Sequence, residues 1–366
     1  MSELLTKYDH LLAVDGPVAI VLKEWLKPVG DEVVFPPTYA NPEKGDAVYN
    51  IDRFGSKQVC TIDSIPSQAN RIEPAFITLA GGKLVPQITV SVTKTGEVVN
   101  LLCAGHRAAD AIVRFSSLKK DVDQAMQARR DKGDSMPMAK LAPTSLIFGL
   151  WDSRASSTKV PRILNSIIRA WDVEKITRSA QYFPAIPYAE AGVASEEGEK
   201  ALNKLSEEGM AEVPSVGKLG GVVVNGEIRR DVSVNLCTLK DITCPGEGEG
   251  TMLRRYLLGL TLVAMAHFDG KAFNLRQGCQ LVRVPERKPQ LTLVKVDGTE
   301  ETVSLSLEDV LAYAEVAAAA FGVGEDRVGT FDPIAAKEAL TPKKEGKAKK
   351  GSKGQKEGDG TPEEGA

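Results

Sequence analysis

The chain has little cysteine, little histidine and no excess of positive charge, and each shortage excludes something. Five cysteines (Cys60, Cys103, Cys237, Cys244 and Cys279) are scattered over 366 residues. The closest pair, Cys237 and Cys244, is too widely spaced for a CxxC redox or zinc motif, and all five read as reduced thiols of a cytoplasmic protein. Three histidines, His10, His106 and His267, stand far apart with no HExxH or HxH pattern, so neither a zinc site nor any other metal site is expected. No apolar run approaches the length that spans a bilayer, and MSELLTKYDH lacks the basic and apolar regions of a secretory signal. A formal net charge of -3 and a pI near 5.9 argue against a protein that coats DNA with a basic surface, while leaving room for a narrow basic groove. The phosphate-cradling GxxxxGK[ST] loop, a GxGxxG turn after a strand and the GxSxG nucleophile elbow are absent. Gly246-Glu247-Gly248-Glu249-Gly250 is glycine-rich, but its two glutamates would repel phosphate, and it reads as a flexible loop. No cofactor is expected.

What is present is a local concentration of basic residues on this acidic chain. Residues 144–183 hold Arg154, Lys159, Arg162, Arg169, Lys175 and Arg178 against three acids, Asp152, Asp172 and Glu174. Thr144 to Trp151 reads as a buried strand. Ile163, Leu164, Ile167, Ile168 and Trp171 recur at helical spacing, which would set Arg162, Ser166 and Arg169 on the opposite side as one stripe. From Ile168 onward a strand fits as well. In this reading Trp151 and the isoleucines anchor the block in the core. Hydroxyls at Ser153, Ser156, Ser157, Thr158 and Ser166 interleave with the basic residues. Guanidinium forks and hydroxyls suit phosphate oxygens and 2′-hydroxyls, so the block points to a bound polyanion.

A second polar cluster, Ser67, Gln68, Asn70 and Arg71, lies at a helix start, where free backbone N–H groups favour anions. Gly220-Gly221 would let the backbone approach a ligand, flanked by Lys218 and by Arg229-Arg230. Some of these arginines are expected to pair with internal acids. Enzyme chemistry has less to stand on. Asp152 beside Ser153 and Arg154 suggests a nuclease carboxylate, but metal-dependent nucleases gather several carboxylates and no such group is visible. His106-Arg107 at a helix start could hold a phosphate or supply an acid.

Strands and helices interleave along the chain. Val18, Ile20 and Leu22 alternate as a strand, and residues 49–62 read as two strands around Phe54-Gly55-Ser56-Lys57. Ser64 caps a helix with Pro66 in its first turn, its apolar face being Ile65, Ala69, Ile72 and Phe76, with Gln68, Asn70 and Arg71 off that face. Residues 3–12 and 104–131 look helical, 84–92 extended, and 190–212 acidic and helical. Asn225-Gly226 announces a hairpin between Val222-Val223-Val224 and the alternating Val232 and Val234. Residues 251–267 form a strong helix, 281–284 and 290–296 strands, and Asp297-Gly298 a hairpin turn. Ser306-x-x-Asp309 opens a final helix that stops near Gly322. Several neighbouring strands joined by hairpin turns favour α+β with an antiparallel sheet. Residues 341–366 hold seven lysines and five acids with almost nothing apolar, and are expected to be disordered. Their net charge of +2 leaves -5 for the remainder.

The motifs Asp63-Ser64, Ser67-Gln68-Ala69-Asn70-Arg71-Ile72-Glu73, Phe148-Gly149, Trp151-Asp152-Ser153-Arg154 and Lys159-Val160-Pro161-Arg162 resemble, in order, those of the CRISPR-associated backbone subunits of type I-G (formerly I-U) systems. Ile168-Arg169-Ala170, Arg178-Ser179-Ala180-Gln181-Tyr182, Leu219-Gly220-Gly221-Val222 and Leu275-Arg276-Gln277-Gly278-Cys279 continue the series, over roughly residues 10–330. The resemblance implies an RRM-like, ferredoxin-like antiparallel palm over residues 1–330, with finger and thumb insertions near 31–48, 104–142 and 186–228, and a thumb at 213–230. It implies a non-catalytic subunit of the RAMP superfamily that lines up along a CRISPR RNA in a Cascade complex and presents it to invading DNA. The implied partners are CRISPR RNA, target DNA through the guide, further copies in a head-to-tail helical filament, a repeat-end-handling subunit, a large subunit and transiently a helicase-nuclease. RNA contacts are expected from Gln68, Asn70, Arg71, Arg154, Lys159, Arg162, Ser166, Arg169, Arg178, Lys218, Arg229, Arg230 and Arg276. The alternative is a metal-dependent endoribonuclease subunit acting through a loop aspartate, Asp152 or Asp63.

Overall fold

The alternation at Ile20 and Leu22 belongs to the strand Ala19–Pro28, around which the main sheet is assembled. The computed structural model describes residues 2–30, 32–154, 156–188, 191–193, 199–246 and 248–340. One edge of Ala19–Pro28 pairs with Ile228–Asn235. Its other edge is shared, Gln290–Val294 taking the first half and Cys279–Arg283 the second. Beyond Ile228–Asn235 come Leu164–Trp171, Lys57–Asp63 and Ile51–Phe54. Phe273–Arg276 and Glu300–Thr302 complete nine strands, all paired antiparallel. The architecture is mixed α+β about a curled antiparallel sheet, as the hairpin signals predict.

The helix caps fall where the sequence puts them. Ser64 Oγ accepts from the Ser67 N–H and Pro66 sits in the first turn of Ile65–Ile72, whose Ala69 and Ile72 are buried. Ser306 Oγ accepts from the Asp309 N–H at 3.1 Å to open Leu307–Phe321, and left-handed Gly322 ends it. Glu249–Met265 is buried along most of its length, starting beside Gly248, so part of the glycine-rich stretch is a helix start and not only a loop. Tyr256 of this helix stacks on Phe321 at 4.4 Å and donates its hydroxyl to Leu84 O at 2.8 Å.

Two expectations in the basic block change. Thr144–Phe148 is a helical turn, followed by a two-residue strand, Leu150–Trp151, paired with Lys159–Val160. All five residues of that turn are buried, and a short run buried all round carries no periodicity to separate helix from strand. The helix read through Arg162 and Arg169 is instead the strand Leu164–Trp171, the alternative that fitted from Ile168 onward, with Leu164, Ser166, Ile168 and Ala170 buried and the alternate residues half-buried. Ile167 and Trp171 mimic helical spacing because they lie on a partly covered outer face. Elsewhere, the helical reading of 104–131 breaks into Arg107–Ala109, Ala111–Arg114 and Lys119–Lys132. Of 3–12, only Ser2–Thr6 and the turn Asp9–Leu11 are helical. The strand read at 84–92 is Ile88–Val92, which pairs in parallel with Arg327–Thr330.

Asn225-Gly226 does not close a hairpin between its flanking strands. Val213–Val224 pairs with Val173–Tyr182, whereas Ile228–Asn235 pairs with Leu164–Trp171. The two halves make one long antiparallel hairpin that bends out of the main sheet at a corner. There Asn225 N–H donates to Asp172 O at 2.9 Å and Gly226 N–H to Trp171 O at 3.1 Å. Asp172 takes a left-handed φ of 59° to make the bend. The outer half, a ribbon also joined by Val33–Val34, leaves the sheet behind. Of the acidic segment 190–212, Glu199–Glu207 is helical, and residues 190 and 194–198 lie outside the described residues.

Residues 1–331 form one compact unit and 332–366 a second. In the second, Asp332 accepts from the Ile334 and Ala335 N–H groups and starts the helix Pro333–Leu340. The expected disordered tail, 341–366, lies outside the described residues. Among the described residues no helix is long and apolar enough to cross a membrane.

The corner is testable. A branched side chain in left-handed backbone costs about 1–2 kcal/mol. Asp172→Val is therefore expected to lower stability by about that amount in urea denaturation, and Asp172→Gly to leave it nearly unchanged.

Candidate nucleic-acid interface

The residues expected to meet RNA divide into three groups, the first of which is internal. Asp63 ends the Lys57–Asp63 strand fully buried, and donors surround its carboxylate. Oδ1 accepts from Ser67 Oγ at 2.7 Å and Arg276 Nη2 at 3.3 Å; Oδ2 accepts from Gln68 Nε2 at 2.6 Å and Arg71 Nε at 3.0 Å. Gln68 Oε1 in turn accepts from Ser166 Oγ at 2.8 Å, and Ser166 Oγ accepts from Arg230 Nε at 3.0 Å. Arg230 donates to Glu24 Oε2 at 2.5 Å and to Met265 O at 3.2 Å. The other Glu24 oxygen accepts from Arg283 at 2.7 and 2.9 Å. Buried charge persists only when paired and hydrogen-bonded, and this relay meets that condition throughout.

The structure places several of the expected contacts in the interior. Gln68, Ser166 and Arg230 are closed to solvent and occupied by one another. Arg71 and Arg276 are half-buried, bound to Asp63 and to the carbonyls of Leu275 and Ile62. Each is polar by type, and only its distant partner makes it internal.

The second group lines a cleft of about 510 Å³ between segments 105–114 and 149–162. Its floor is Arg107, buried with a left-handed φ of 52°. Arg107 Nε lies 2.7 Å from Glu73 Oε2, and the guanidinium sits 5.2 Å from the Phe148 ring. Arg107 Nη1 donates to Gly149 O at 3.3 Å, and Nη2 to Oδ1 of the exposed Asn70 at 3.4 Å. A Cβ on Gly149 would meet Arg162 Cγ at 2.6 Å and Val160 O at 2.9 Å, so glycine there lets the Arg162 stem cross the turn. Arg114, Arg154, Lys159 and Arg162 form the walls. Among the described residues none of these four makes an ion pair or a side-chain hydrogen bond. The acid in the lining is Asp152, whose carboxylate folds its own loop by accepting from Ser156 N and Oγ, both at 2.7 Å, and from Arg154 N at 3.2 Å.

Electrostatics mark the cleft as positive. Burial, and then the neighbouring Arg107 charge, pull the Arg162 guanidinium below its ordinary value. Burial pushes Glu73 up to about 7, against the opposing pull of Arg107 and Thr144. Trp151, expected in the core, is 68% exposed. In its two-stranded ladder Leu150 and Val160 are the buried pair, and Trp151 stands opposite Lys159 facing out.

The third group lies on the outer sheet face and the ribbon. Arg162 lines the cleft ahead of the strand Leu164–Trp171, whose five steps from Leu164 to Arg169 span roughly 17 Å, so the two do not form one helical stripe. Arg169 stands opposite Arg229 in register. Arg229 is held by Asp231 and Glu227, with its guanidinium 5.7 Å from the Trp171 ring. Arg169 has no ion pair among the described residues. On the ribbon, the exposed Arg178 lies opposite Lys218 and 5.9 Å from the Phe35 ring, and Lys218 pairs with Asp46 at 2.7 Å. Gly220 and Gly221 make room for Thr177 and Val33 of neighbouring strands, so the protein itself occupies the approach read as a ligand's.

Four lining residues able to meet a base or phosphate, His106, Arg107, Arg114 and Trp151, stood outside the expected contacts; nothing in the local sequence marks Arg114. All five cysteines are free. Burial pushes Cys60 up to about 12 and Cys279 up to about 11, which keeps both as thiols. Among the described residues no three His, Cys, Asp or Glu side chains gather as a metal site.

The model of the family described as CRISPR-associated protein GSU0053 matches residues 20–175, somewhat under half of the chain. The match spans Asp63 and its helix, the whole cleft and the strand carrying Arg169. No curated protein matches the chain.

Two measurements test this arrangement. Removing one partner of a buried ion pair costs about 3–5 kcal/mol, so Asp63→Asn is expected to lose about 3 kcal/mol in urea denaturation, the lower figure because its arginines are partly exposed. Glu73 titrates higher in the folded chain than its ordinary 4.5. The folded state therefore holds a proton that the unfolded chain releases first, and this contribution to stability is lost as pH rises from about 4.5 through about 7. The stability difference between the natural protein and Glu73→Gln should change across that window and be flat above it.

Proposed function

We propose that this protein is a CRISPR RNA-binding backbone subunit, of the type I-G kind, that assembles head-to-tail along the spacer of the guide and presents it to invading DNA. The observation that carries the reading is the basic cleft, whose four wall cations lack internal counter-charges, lying inside the segment that matches the CRISPR-associated family. The antiparallel main sheet suits an RRM-like palm, and the ribbon that bends out at Asp172 suits a thumb, with residues 213–224 as one of its strands. Partners follow from the role: guide RNA, target DNA through the guide, further copies of the chain, the repeat-end-handling and large subunits, and transiently a helicase-nuclease.

The subunit is read as non-catalytic, with no metal and no cofactor. The loop-aspartate alternative has less support. Both oxygens of Asp63 are already taken by four donors, and Asp152 is spent on its loop.

Binding to single-stranded RNA is expected to weaken with salt at a log–log slope of about -0.7 per phosphate neutralised. Arg162→Ala with Arg169→Ala should flatten that slope by about 1.4 in fluorescence-anisotropy titrations, if each contacts one phosphate. Filament growth on guide RNA, followed by light scattering, should fall in the same double variant. Unchanged binding and assembly would remove the reading. Regularly spaced, magnesium-dependent cuts in matched RNA that vanish in Asp152→Ala would replace it with the nuclease.

A further inference from the structure

The cleft and its rim supply two different kinds of contact side by side. Inside are guanidinium and ammonium groups without counter-charges. Among the described residues Arg114 lines the cleft without an ion pair, its guanidinium 4.8 Å over the Phe115 ring. At the rim, Trp151 exposes a large flat ring that the fold does not use. The Leu150–Val160 pair is buried beneath, and this alternation turns Trp151 and Lys159 together to the outside. Among the described residues no ring stacks on Trp151 and no cation sits over it. An indole beside a basic cleft roomy enough for a phosphate matches one ligand chemistry: a base with its phosphate attached.

We infer that this site is a nucleotide seat, in which one base of a single-stranded nucleic acid stacks on Trp151 while the adjoining phosphate enters the cleft against Arg114 and Lys159. The inference rests on the RNA-binding reading above and narrows it to one stacking residue and one phosphate ligand. Stacking on an aromatic face tolerates any base, which suits a strand whose sequence must vary. The seat orients the strand locally, with the base held at the rim and the phosphate inside.

The test uses the full chain with a short oligouridylate and the matching oligodeoxythymidylate. The chain has three tryptophans, Trp25, Trp151 and Trp171, of which Trp151 is by far the most exposed. Binding should quench its emission, and Trp151→Phe should abolish most of the quench. Trp151→Ala should weaken binding about five- to 160-fold, the range for loss of one base–aromatic stack, with an unchanged unfolding midpoint because the ring is exposed. Arg114→Gln should lower the salt slope by about 0.7. Equal losses on both oligonucleotides, or a loss confined to the ribonucleotide, each support the seat, the second assigning a contact to the 2′-hydroxyl. If the natural protein binds but Trp151→Ala binds equally well with the quench intact, the seat is wrong and the RNA-binding reading stands. If the natural protein binds neither oligonucleotide, both fall.

Discussion

A carboxylate taken out of water must be met by donors, and the buried Asp63 is the point at which this requirement organises the molecule. Through Gln68, Ser166 and Arg230 it is linked to Glu24, a second buried carboxylate. The line crosses the strands Lys57–Asp63, Leu164–Trp171, Ile228–Asn235 and Ala19–Pro28 and ties the helix Ile65–Ile72 to them. Because unsatisfied buried polar groups cost more than satisfied ones return, such a line tolerates no half-formed version. Arg71 and Arg276 extend it to the hairpin of Phe273–Arg276 and Cys279–Arg283.

The same constraint sets the candidate site. With Ile65–Ile72 fixed by Gln68 and Arg71, Glu73 at its end meets Arg107, and Arg107 reaches Gly149, over which the Arg162 stem crosses. The cleft is therefore an outer consequence of the interior network. The arginines divide accordingly: Arg71, Arg230, Arg276 and Arg283 are held by Asp63 or Glu24, whereas Arg114, Arg154 and Arg162 of the cleft make no ion pair among the described residues. On a body with a net charge near -5, excluding the tail, the cleft is a local concentration of basic side chains.

The long hairpin shows how one chain segment serves two surfaces. Its inner half completes the main sheet. Its outer half, past Asp172 and Asn225, forms a ribbon that shares no ladder with that sheet. The bend requires a left-handed residue on one strand and a tight pair of N–H donors on the other. Asp, Asn and Gly are the residue types that accept such geometry most readily.

By itself the sequence determined what neighbouring residues decide: the caps at Ser64 and Ser306, the stop at Gly322, the alternating strands around Ile20 and Val232, and the excess of basic residues between 144 and 183. It also carried the ordered motifs of the CRISPR-associated resemblance. It misassigned Thr144–Phe148 and left Leu164–Trp171 between helix and strand, where burial on every side or on a half-covered face blurs the periodicity. Only the tertiary structure decided which polar residues are interior. Arg230 and Arg229 are adjacent and identical in type, yet one meets Glu24, 206 residues away in sequence, and the other faces outward. Likewise nothing local to Trp151 says that its ring is exposed, because that depends on Val160 pairing with Leu150 beneath it. The physical reason is common to both: burial and charge compensation are properties of pairs, and these pairs exist only after the sheet has formed.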